Sequence, residues 1–155
     1  MPRVHTVKKA RKDYPDVGIE KGDTYYWWQF RGSPVKRSKT YPNRKQLTRS
    51  GFLQELYDIE DTISKMFDVD DLDDVLDRID NLRDECQDSL DNMPEHLQET
   101  SDSGMLLQER IDGLEEWHDE LEGIDRDIDD ELEGGERDDR IEEILDEIKG
   151  VSHSL

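Results

Sequence analysis

The stretch LDDVLDRIDNLRDECQDSLDN, residues 72–92, sets Leu72, Val75, Leu76, Ile79, Leu82, Cys86 and Leu90 three or four positions apart, with acidic and polar residues between them. That spacing is the period of an α-helix with one apolar face. A helix of this length extends about 31 Å. Asp68 to Asp71 offer a break and a new cap before it, and Pro94 marks its end.

The same pattern continues on both sides. Upstream, Phe52, Leu56, Ile59, Ile63 and Met66 follow one another at spacings of four and three, a heptad seam that Thr48 or Ser50 can cap. Downstream, TSDSG (100–104) reads as a linker. Leu107, Ile111, Leu114, Trp117, Leu121, Ile124, Ile128 and Leu132 then form a second long stripe, which Gly134-Gly135 ends. Ile141, Ile144, Leu145 and Ile148 mark a short last helix, and residues 150–155 read as a flexible tail. Acidic helices are therefore expected over 52–99 and 105–149, arranged as a helical hairpin or a coiled-coil-like bundle. The seams are narrow, so a homodimer is expected to widen the buried face.

Residues 1–51 read differently. Thr24–Arg31 is aromatic and strand-prone, Gly32-Ser33-Pro34 is a turn signal, and Val35–Tyr41 can return as a second strand. This predicts a small β-hairpin behind an arm (1–23) that carries Lys8, Lys9, Arg11 and Lys12. The fold class is mainly α, with a small N-terminal β-hairpin followed by long acidic helices. Alternation places Tyr25, Trp27, Gln29 and Arg31 on one face of the hairpin, and Tyr26, Trp28 and Phe30 on the other. A lone hairpin is marginal in water, so one face should pack on the arm or the next helix. Tyr26, Trp28 and Phe30 are assigned to that packing.

Charge divides the chain in the same place. Residues 1–51 carry 13 Lys/Arg against 4 Asp/Glu, while residues 52–155 carry 8 against 38. Such asymmetry implies two segments with different partners, or two segments that attract each other. Hydrophobic residues make up only 32% of the chain, which favours long exposed helices with thin seams over a large core. The single cysteine, Cys86, allows no internal disulfide and sits on an apolar stripe as a structural thiol. No apolar run approaches the roughly 20 residues that cross a bilayer, and the basic N-terminus lacks the apolar stretch of a signal peptide. No membrane association is expected.

The many carboxylates invite a metal reading, which spacing rejects. A calcium loop counted from Asp68 puts Leu72 at its fifth position and Ile79 at its twelfth; one counted from Asp129 has Gly134 at the sixth but Arg140 at the twelfth. Glu115 and His118 form one Glu-x-x-His step, but a di-iron bundle needs two, and Met93 precedes His96 at the matching position. His118 is read as a seam-edge residue. Neither a phosphate loop nor a nucleophile elbow nor a Cys/His pair is present, so no enzyme, metal or cofactor is expected.

The basic aromatic segment is the candidate site. Lys and Arg neutralise phosphates, and aromatic faces stack on exposed bases. Tyr25, Trp27, Arg31, Lys36, Arg37, Lys39, Arg44 and Lys45 are the residues expected to contact DNA or RNA.

Two resemblances add to this. Through VHTVKKARKDYPDVGIEKGDTYYWWQFR, QLTRSGF and MPEHLQET…LLQERIDGLEEW, the chain resembles small uncharacterised proteins of tailed bacteriophages. That likeness implies the cytoplasm of an infected bacterial host. Separately, YYWWQFR-GSPVKRSKTYP-NRKQLTRSGF resembles in outline the arm-binding modules of phage-type integrases, which place a basic aromatic hairpin before a helix and bind DNA. The Arg/His/Tyr catalytic region of an integrase is absent.

The leading expectation is a non-enzymatic nucleic-acid-binding protein whose acidic helices dimerise or recruit a partner. The rival is an acidic helical adaptor or DNA mimic that binds a basic protein. In a third arrangement the acidic helices fold over the basic arm and suppress its binding.

Overall fold

The computed structural model describes all 155 residues, and the stretch of residues 72–92 is helix α2, Asp71–Asp91. All seven apolar positions of its seam are buried, from Leu72 through Leu90. Asp71, Asp73 and Asp74 occupy its first turn, where negative charge complements the helix dipole. The Asp68 carboxylate accepts the Asp70 N–H at 3.0 Å, which sets the break before it.

The chain divides into two compact units, Met1–Asp58 and Ile59–Leu155. The division falls inside helix α1 (Gly51–Ser64), not before it at residue 51. Ser50 caps α1 by accepting the Leu53 N–H at 3.4 Å.

The first unit holds a three-stranded antiparallel sheet: β1 (His5–Val7), β2 (Tyr25–Trp28) and β3 (Lys36–Ser38), in that spatial order. The expected hairpin is β2–β3, and the arm adds β1 as a third strand. In register, His5 and Arg37 flank Trp27, Val7 faces Tyr25, and Lys36 faces Trp28.

In the second unit, α2 and α4 (Asp102–Glu122) form the helical hairpin, joined through the short helix α3 (Glu95–Gln98). Their side-chain pairs run in opposite order: Met93 meets Ser101 near the joint, and Asp80 meets His118 further along. The final helix, α5 (Gly135–Gly150), buries Ile144, Leu145 and Ile148.

Three expectations are corrected here. Residues 102–104 of the supposed linker are the first turn of α4, because Ser101 is its N-cap and accepts the Gly104 N–H at 3.0 Å. Short polar residues give a cap and a linker the same signature. The second stripe does not stay helical to Leu132: α4 stops at Glu122, and residues 124–134 are irregular. There Asp125 and Asp129 accept the backbone N–H groups of Asp127 and Glu131, a local bonding pattern that competes with the helix.

The tail is also packed. His153 Nε2 lies 2.6 Å from Glu60 Oε1, and its ring centroid is 4.6 Å from that of Trp117. The Leu155 side chain lies over Gly113, where a β-carbon would come within 2.8 Å of it. Most residues of the expected seams are buried within one chain, while Phe52, Leu107, Ile128, Leu132 and Ile141 are only partly covered. No helix is long and apolar enough to cross a membrane.

Candidate nucleic-acid interface

The sheet has one buried aromatic on each face, because alternation sends Tyr25 and Trp28 in opposite directions and both are covered. Beneath β2, Tyr25 joins Ala10 and Ile19 in a small core, with Val7, Tyr14 and Trp27 packed against it. The connection from β1 to β2 folds back to build this core. Ala10 donates its N–H to the Asp23 carbonyl at 2.8 Å and accepts the Gly22 N–H at 2.9 Å, while Tyr14 and Ile19 bridge. Between them the chain turns through Pro15–Val17 and Gly18, whose φ of +69° suits a residue without a β-carbon.

This placement corrects the reading of Tyr25. Only 8% of it is exposed, and burial, followed by the Tyr14 hydroxyl beside it, raises its phenol above the ordinary value. It cannot present a ring to a base. Trp27 is half-buried, with His5 stacked on it at 4.1 Å across the β1–β2 pair.

The basic residues divide by what already holds them. Arg37 lies 4.3 Å from the centre of the Tyr14 ring, which fixes it on the sheet's inner side. Lys39 pairs with Asp23 at 3.3 Å, and Lys45 with Asp58 at 2.9 Å. The Arg44 guanidinium covers Tyr57 at 4.5 Å. Arg31 and Lys36 remain exposed, with the Lys36 ammonium 5.4 Å from the Phe30 ring centre.

A denser set lies on the β1–β2 connection. Lys8, Lys9, Arg11, Lys12 and Lys21 are all exposed, and none forms an ion pair. The hydrogen bonds that join Ala10 to Gly22 and Asp23 bring Lys9 and Arg11 beside Lys21. Four acids share the connection: Asp13 accepts the Lys21 N–H at 2.6 Å, Asp23 accepts the Glu20 N–H at 3.0 Å and pairs with Lys39, and Asp16 and Glu20 are exposed. Sequence reading marked the arm as basic but centred the site on the hairpin. Lys21 lies nine residues or more from the other four in sequence, so only the fold-back joins it to them.

In the second unit, His118 is ringed by carboxylates. Asp80 Oδ2 is 3.4 Å from Nε2, while Asp119 and Glu122 are 3.5 and 3.9 Å from Nδ1. The ligand atoms of His118, Asp119 and Glu122 lie within 4.8 Å of one another, close enough to share a cation. Exposed carboxylates line the whole of α4, however, so these neighbours do not single out a cation site. His153 offers no free base either. Its Nδ1 accepts the Leu155 N–H at 3.2 Å while Nε2 faces Glu60, so both nitrogens are occupied although Ser64 and Ser152 line the same cleft.

Compared with protein-family models, curated proteins and solved structures, the chain matches none.

Proposed function

We propose that this is a non-enzymatic nucleic-acid-binding protein that grips the phosphate backbone with the folded β1–β2 connection, helped by Arg31 and Lys36 beyond it. The observation that carries this reading is the set of five exposed cations without a carboxylate partner at Lys8, Lys9, Arg11, Lys12 and Lys21, of which Lys12 lies 5.3 Å from the centre of the Tyr14 ring. Cations already held by carboxylates contribute little to a polyanion, because each would first have to leave its partner. These five have no carboxylate to leave. The outline resemblance of residues 25–52 to arm-binding DNA modules points the same way.

Affinity from phosphate neutralisation falls with salt, with a slope close to the number of cations engaged. The full chain should bind nucleic acid at about 50 mM salt and weaken by orders of magnitude by about 200 mM. Replacing Lys9 and Arg11 together by glutamine should lower the slope by about 2 without unfolding the protein. No binding to either single-stranded or duplex nucleic acid at the lowest salt would sink the proposal.

A further inference from the structure

Phe67, in the loop between α1 and α2, is 81% exposed, more than any other large apolar side chain. Its neighbours explain why. Met66 and Val69 are buried, and the carboxylate and carbonyl of Asp68 accept the N–H groups of Asp70 and Asp71 at 3.0 and 3.2 Å. The loop is thus anchored on both sides of the ring and holds it outward. Asp68, Asp70 and Asp71 follow within four positions, all exposed, and Lys65 is the one cation of the loop. An aromatic ring framed by carboxylates fits an apolar recess with a cationic rim.

The first unit carries such a recess. A cleft of about 370 Å³ beyond the end of β2 is walled by Phe30, Leu47 and Leu53 and by Arg31 and Arg49, and no carboxylate lines it. Arg49 donates to the Arg31 carbonyl at 3.3 Å, and its guanidinium lies 5.9 Å from the centre of the Phe30 ring. Both arginines are exposed, so their charges face whatever enters.

We infer that Phe67 of one copy seats in this cleft of a second copy, with Asp68, Asp70 and Asp71 facing Arg31 and Arg49. The occupant is a second copy because the chain carries both complementary halves, and its own Phe67 stands in solvent. The contact joins two different surfaces, so each copy keeps one ring and one cleft for further neighbours. Association therefore runs head to tail, into open chains or closed rings. Two bodies of net charge −21 repel each other. At about 0.15 M salt the screening length of about 8 Å damps that long-range repulsion and spares charges in contact. The phosphate-binding reading stands apart from this one: its five cations lie on the β1–β2 connection, and only Arg31 serves both.

Sedimentation velocity of the full chain tests this at about 0.15 M salt, over about 10 to 300 μM protein. The mean mass of the wild type should rise with concentration. Phe67→Ser removes the ring and Arg49→Glu reverses the rim, both at exposed positions. Each should weaken association at least about tenfold and leave the circular dichroism spectrum unchanged. Mixed in equal amounts, the two variants should form dimers and nothing larger, because the intact cleft of one takes the intact Phe67 of the other. A wild type that stays monomeric throughout overturns the proposal. So does association undiminished in Phe67→Ser, which would place the contact on another surface. A mixture no heavier than its components overturns it too, since the ring and this cleft would then not be partners.

Discussion

Asp23 shows how a single side chain sets the end of the sheet. Its carboxylate accepts the Glu20 N–H and pairs with Lys39, and those two contacts, in that order, hold its pKa below the ordinary 3.8. A carboxyl whose folded value is depressed contributes stability that is complete above the unfolded value. That contribution is lost as pH falls through the folded value. An NMR titration should therefore place the Asp23 midpoint below 3.8. Lys39→Gln should raise the midpoint without restoring it fully, because the backbone N–H remains. A wild-type midpoint at or above 3.8 would show that the contacts do not form in solution. The pair was hidden in the sequence, where Lys39 looked like one more phosphate ligand. Only the register of β2 with β3 brings it toward the β1–β2 connection.

At the scale of elements, the joint between α3 and α4 depends on the missing side chain of Gly104. Alanine in a helix is ordinarily better than glycine by about 1 kcal/mol. Here a β-carbon would lie 2.6 Å from the Leu97 carbonyl oxygen, and closer still to that of Gln98. Both obstacles are backbone, so the turn would have to open. Gly104→Ala should destabilise the protein by about 2 kcal/mol, seen as a lower urea midpoint. Gly113→Ala meets only the Leu155 side chain, which can move, and should be far milder. An increase in stability for Gly104→Ala would mean that the two helices do not approach so closely.

The same elements show what was legible beforehand. The α2 seam could be read position by position, because acidic and apolar residues separate cleanly over its whole length. The end of α4 could not, since Ile124, Ile128 and Leu132 keep helical spacing while the intervening aspartates bond their own backbone. Strand β1 is three residues long, too short to display a period. Tyr25 was placed on the correct side of its strand and given the wrong environment, because alternation says which residues share a face but not which face is covered. The tail was unreadable for another reason: the partner of His153 is Glu60, 93 residues earlier.

Across the whole molecule, two effects of salt should run in opposite directions. Residues 52–155 hold 38 carboxylates against 8 Lys/Arg, and most of those acids are exposed. Their mutual repulsion opposes folding of the helices, and salt weakens it as the screening length falls from about 30 Å at 0.01 M to about 8 Å at 0.15 M. Ion pairs such as Arg126–Asp73 at 2.7 Å and Arg83–Asp80 at 3.1 Å pull the other way. They are partly exposed, and such pairs contribute about 1 kcal/mol or less each. Repulsion among so many like charges outweighs a handful of them. Raising salt across that range should therefore increase the thermal midpoint by about 4 °C, while the same additions weaken nucleic-acid binding. Scanning calorimetry and a binding titration on one salt series measure both. A midpoint that falls with salt would mean that the ion pairs dominate, and that the acidic surface is held together by its few cations.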